Sequence, residues 1–111
     1  MKILLDENLP RKLKSDLAVH DAKTVRDMRW LGKRNGELMK PMNEAGFDVF
    51  ITTDKSLRHQ QPIDKYPVRI VLLLATSNKY VSLQPMIPDV LRYLKLGKFE
   101  TVRAFQAAGL S

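Results

Sequence analysis

Apolar residues fall along the chain in short blocks that alternate between two periods. Ile3, Leu4 and Leu5 form a compact run stopped at once by Asp6 and Glu7, which predicts a buried strand over residues 2–5. Leu9, Leu13 and Leu17 then recur at helical spacing, with Asn8 as the prospective cap and Pro10 in the first turn. His20 and Asp21 turn the chain into a second strand over 22–25. Residues 26–35 (RDMRWLGKRN) read as a basic loop, and Asn35-Gly36 as a turn or helix-start signal. A helix follows over 37–45, with Leu38, Met39, Met42 and Ala45 on its inner face, Pro41 near its first turn and Gly46 at its close. A third strand over 49–52 ends in Thr53-Asp54. Residues 55–60 read as a turn or single helical turn and 62–67 as a loop. A fourth, strongly apolar strand spans 68–74 and ends in Thr76-Ser77-Asn78. A helix over 83–96 is opened by Pro85 and Pro88 and stopped by Gly97, and residues 99–105 alternate as an edge strand. The tail from about residue 106 is expected to be mobile.

Continuous apolar strands separated by helices predict an α/β fold: a mostly parallel sheet of four to five strands, covered on both faces as a three-layer α/β/α sandwich. The crossovers are expected to be right-handed. A chain of 111 residues suits one domain spanning its whole length. In such sheets ligands bind beyond the carboxyl ends of the strands, near the switch point in strand order.

Composition narrows the chemistry. There is no cysteine, which excludes a disulfide framework and a thiolate metal site. No Gly-rich phosphate loop, GxSxG elbow or zinc spacing is present. The opening MKILLDENLP does not read as a signal peptide, and the longest apolar run, residues 70–75, is far short of the roughly 20 residues a membrane helix needs. A cytoplasmic protein without membrane contact is expected. The formal net charge of +7 favours a polyanionic partner: RNA, DNA or an acidic protein.

Parallel strands present their carboxyl ends to one edge, so Asp6-Glu7-Asn8, Thr52-Thr53-Asp54 and Thr76-Ser77-Asn78 are expected to converge. Glu37 joins them if its helix starts at that edge. Clustered carboxylates repel and persist when a cation occupies them, and hard oxygen donors suit Mg²⁺ or Mn²⁺. Lys33, Arg34, Lys55 and Arg58 flank the acids in sequence and would guide a phosphate backbone. Trp30 is either a base-stacking platform or an anchor for the basic loop. Each acid also has a plainer reading. Asp6, Glu7 and Asp54 suit helix caps, and Glu37 suits the positive end of a helix dipole. His20 falls at the opposite edge of the sheet, and His59 follows Asp54 as a surface residue or a proton-transfer group.

The segments KILLDENLP, GKRNGELM, GFDVFITTDKSL and VLLLATSN together resemble the PIN-like proteins of the DUF5615 (Mut7-C-like) group, over residues 1–96. The resemblance implies a PIN-like fold and a Mg²⁺- or Mn²⁺-dependent ribonuclease, often the toxin of a toxin–antitoxin module with a cognate antitoxin protein. It carries Asp6, Glu37 and Asp54 over as the catalytic acids and metal ligands, with Glu7 and Asn35 assisting. Relatives place Asp where Asn35 stands, and no fourth acid follows the fourth strand, where Asn78 stands. The alternative is therefore a catalytically weakened module that binds RNA or protein. A phosphoacceptor domain similar to a response regulator is a third reading, since it too uses Asp at strand ends. A homodimer through the edge strand is a further expectation.

Overall fold

In the computed structural model, residues 1–59, 65–97 and 100–106 are described, apart from the side chains of Arg58 and His59. The predicted loop over 62–67 lies partly outside these residues. Phe99, the expected mobile tail and any role of the Arg58 and His59 side chains lie outside them altogether. The chain forms an α/β fold. Strand β1 (Lys2–Leu5) leads through α1 (Leu13–Asp16) to β2 (Asp21–Thr24), then through α2 (Asn35–Glu44) to β3 (Val49–Thr52). A 3-10 turn at Lys55–His59 precedes β4 (Arg69–Leu74). Helix α3 (Tyr80–Leu83), a 3-10 turn at Gln84–Met86 and α4 (Ile87–Leu96) precede β5 (Val102–Gln106). The five strands form one all-parallel sheet in the order β2-β1-β3-β4-β5.

Alternation along each strand sorts the core into two layers. Ile3, Leu5, Val49, Ile51, Val71 and Leu73 point to one face, where Leu13 and Leu17 of the α1 segment and Val90 and Leu94 of α4 cover them. Leu4, Phe50 and Ile70 point to the other, under Leu38, Met39 and Met42 of α2. The three middle strands are covered on both sides, which is why their apolar runs show no alternation.

The predicted helices are present with shifted bounds. The α1 segment contains only four residues of α-helix, and Leu13, Lys14 and Ser15 instead donate to Pro10, Arg11 and Lys12 in tight i→i+3 turns. Asn8 does not cap α1, which starts at Leu13 with Lys12 in the cap position and no side-chain cap. Helix α2 starts at Asn35, two residues early, so Pro41 lies inside it and the carbonyl of Glu37 loses its usual donor. The helix predicted over 83–96 is split by the turn containing Pro85, and Gly97 ends α4 with φ 70°, a left-handed conformation that costs glycine little.

The β1→β2 and β4→β5 crossovers step in opposite directions along the sheet, yet both pass over the face of α1 and α4. They therefore have opposite hands. The β2→β3 crossover steps back over the other face and shares the hand of β1→β2. The crossovers therefore do not all share the expected right hand, and the one that differs, β4→β5, has a connection over 75–101 long enough to carry two helices.

Candidate functional site

The chain leaves β1 for one face and edge and leaves β3 for the other, so the switch point of the sheet lies between these two strands. Asp6 follows β1, and its N–H extends the ladder to Ile51 of β3 at 3.0 Å. Its carboxylate emerges on the α2 face. Thr52 ends β3 on the same face, fully buried, and donates its hydroxyl to Asp6 Oδ2 at 2.6 Å. Asp54 lies two residues on, and its N–H donates to Thr52 Oγ1 at 3.0 Å.

Asn35, the first residue of α2, closes the arrangement. Its amide nitrogen donates to Asp6 Oδ2 at 3.0 Å and to Asp54 Oδ2 at 3.1 Å, and lies 3.5 Å from Thr52 Oγ1. Two carboxylates from different strands thus converge on one atom. Asp6 is only 3% exposed, and among the described residues no cation pairs with it; its charge is met by the Thr52 hydroxyl and the Asn35 amide. The other oxygen of Asp54, Oδ1, accepts from the Ser56 N–H at 3.0 Å and the Ser56 hydroxyl at 2.6 Å.

The remaining predicted site residues are placed differently. Glu7 is exposed and accepts from the Gly32 N–H at 3.4 Å, tying the loop before α2 to the end of β1. Glu37 is exposed and accepts from the Arg34 N–H at 3.1 Å, so it secures the start of α2. Among the described residues no group of three or more His, Cys, Asp or Glu side chains is gathered to hold a metal ion. The site is two carboxylates, one amide and one hydroxyl rather than three acids. Ser77 pairs with Ser82 at 2.8 Å, and Asn78 is exposed.

Lys33, Arg34 and Lys55 are exposed, and Arg34 and Lys55 are the chain neighbours of Asn35 and Asp54. Chain adjacency sets Arg34 and Lys55 at the rim of the site, with Lys33 one residue further out. The Trp30 ring packs edge-on against Phe47 at 6.0 Å, which favours the anchoring reading of this residue. His20 lies beside the amino terminus, with Nδ1 3.4 Å from the Met1 nitrogen. Burial and the terminal charge lower its pKa.

The sequence pattern places Thr52 among the converging strand ends without giving it a partner, and gives Ser56 no role. The signal was the period of two: Thr52 and Asp54 share a side of the chain, so a hydroxyl at the strand end falls beside the acids. The Asp-x-Ser spacing is the pattern of an Asx turn.

The donor set is compatible with a hard divalent cation. Asp6 and Asp54 are within one hydrogen-bond length of a common point, and a Mg²⁺ ion is commonly held by one or two carboxylates together with waters and substrate phosphates. Asn35 offers its carbonyl oxygen there once its side chain turns over.

No protein-family model matches the chain, and neither curated proteins nor solved structures yield a significant match.

Proposed function

We propose that the chain is a divalent-metal-dependent ribonuclease of PIN-like type, with Asp6 and Asp54 as the metal-holding pair. The observation that supports this reading is the convergence of the two carboxylates on the Asn35 amide at the switch point of the sheet. A bound Mg²⁺ or Mn²⁺ ion would supply a water of lowered pKa and neutralise charge on the scissile phosphate. The Thr52 hydroxyl holds Asp6 in place, and Ser56 holds Asp54, so both carboxylates are oriented before substrate arrives. Asn35 would add a ligand through its amide oxygen, while Glu7 and Glu37 fix the loop and helix that carry it. Lys33, Arg34 and Lys55 on the rim position the RNA backbone, supported by the +7 net charge. A role as a cytoplasmic toxin, silenced by a cognate antitoxin protein, belongs to the same reading and rests on the motif resemblance.

The test is cleavage of an RNA oligonucleotide in Mn²⁺, in Mg²⁺ and in EDTA. Cleavage is expected only with metal and is expected to fall at least a hundredfold in Asp6→Asn. An Asp6→Asn variant that cleaves as fast as the parent contradicts the reading.

The Asn35 nitrogen favours a second reading. A donor N–H₂ between the carboxylates already offsets their repulsion, and Glu37 is engaged at the helix start. A module of this kind binds RNA without cleaving it. RNA affinity retained in EDTA, with no cleavage in Mn²⁺, would identify it.

A further inference from the structure

The two edges of the sheet differ in a way that bears on self-association. Strand β2 is short and carries Asp21 and Lys23, charges of the kind that blunt an edge against pairing. Strand β5 is longer, and among the described residues nothing pairs with its outer side. The Ile70 N–H donates to Thr101 O at 2.9 Å, so Thr101, Arg103 and Phe105 turn their backbone groups toward β4. Those of Val102, Ala104 and Gln106 point outward, and among the described residues β5 carries one charged side chain, Arg103, against two in the shorter β2.

A groove of about 460 Å³ runs beside this edge, between β5 and α4. Tyr93, Phe105 and Leu96 supply its apolar lining, and Leu96 is 68% exposed. Its rim holds two ion pairs, Arg92–Asp89 at 2.9 Å and Arg103–Glu100 at 3.1 Å. The Arg103 guanidinium also lies 5.4 Å from the Tyr93 ring centre and 5.5 Å from that of Phe105. On a chain of net charge +7, this patch carries two bases and two acids. It offers no net attraction to a polyanion and no net repulsion to a copy of itself.

We propose that the outer edge of β5 and the adjoining face of α4 form a twofold interface occupied by a second copy of this chain. A twofold contact must be self-complementary, and a rim of both signs around an apolar groove meets that condition. Antiparallel pairing centred on Ala104 extends the sheet to ten strands. It sets each Arg103 against the other copy's Phe105, the ring type it already faces within its own chain. The two α4 helices then lie on the same face and cover Leu96.

The test is sedimentation velocity of the full chain in EDTA, from about 1 to about 200 μM. Measuring without metal separates this interface from the proposed ribonuclease site. The parent is expected to approach twice the 12.8 kDa chain mass as concentration rises. Leu96→Lys changes an exposed residue, and Ala104→Pro removes an outward N–H without breaking a β4 bond. Each is expected to raise the dimer dissociation constant at least tenfold while leaving the far-UV circular dichroism of the monomer unchanged. A parent that stays at the monomer mass throughout overturns the proposal. A dimer that persists unchanged in Leu96→Lys overturns it as well.

Discussion

Asp6 is buried behind the end of β1, and the Thr52 hydroxyl and Asn35 amide both donate to one of its oxygens. Removing either donor leaves a buried carboxylate short of a partner. Thr52→Val, nearly isosteric, is expected to lower stability by about 1–3 kcal/mol, and Thr52→Ser by much less, in urea denaturation at pH 7. Equal losses in the two variants would show that the methyl group, not the hydroxyl, matters. A second carboxylate sets the response to acid. Asp27 accepts from Lys14 Nζ at 2.8 Å and from the Thr24 N–H at 2.9 Å, and the Lys14 hydrogen bond is the main reason its pKa falls to about 2. A folded-state pKa below the unfolded value means stability that is present above pH 3.8 and lost as pH falls toward 2. The Asp27 side chain is 31% exposed, so solvent screening leaves about 1 kcal/mol at neutral pH. Asp27→Asn is expected to lose that amount at pH 7 and little at pH 2, as measured by thermal melts at the two values.

At the scale of elements, the strands were legible because burial on both faces writes itself as unbroken apolar runs. All five appear within two or three residues of where the pattern placed them. Helix bounds were less legible, since they depend on contacts distant in sequence. Helix α2 opens at Asn35 because that residue is drawn to acids on two strands, a pull no local propensity contains. Its far end was legible: Gly46 closes it with φ 81°, and the Lys2 ammonium adds a cation at the negative end of the helix dipole, donating to Ala45 O at 2.7 Å. The same displacement put Pro41 in the helix interior. Pro41→Ala is expected to restore a donor for the Glu37 carbonyl and raise stability by about 1–3 kcal/mol, read from the denaturation midpoint. An unchanged midpoint would mean that the carbonyl already has a partner. The candidate site was legible in part. Asp6 and Asp54 could be paired from the topology of a parallel sheet, whereas the diversion of Glu37 to the helix start depends on where the helix begins.

The whole molecule joins this site to a basic surface and a neutral edge. The proposed ribonuclease reading puts its chemistry at the carboxyl ends of β1 and β3, the switch point of the sheet. If the rim cations meet phosphates, Lys33→Ala and Lys55→Ala are each expected to weaken RNA binding and reduce the salt slope by about one. Fluorescence anisotropy across a salt series checks this, and an unchanged slope would place the RNA elsewhere. The dimer proposed through β5 leaves that rim free, because the two surfaces lie at different boundaries of the sheet. The central claim, that two strand ends form one metal site, is tested most directly by calorimetric titration of Mn²⁺ into the parent, Asp6→Asn and Asp54→Asn. Saturable binding in the parent, lost in both folded variants, is the predicted result. Binding of equal strength in the parent and either variant would contradict it.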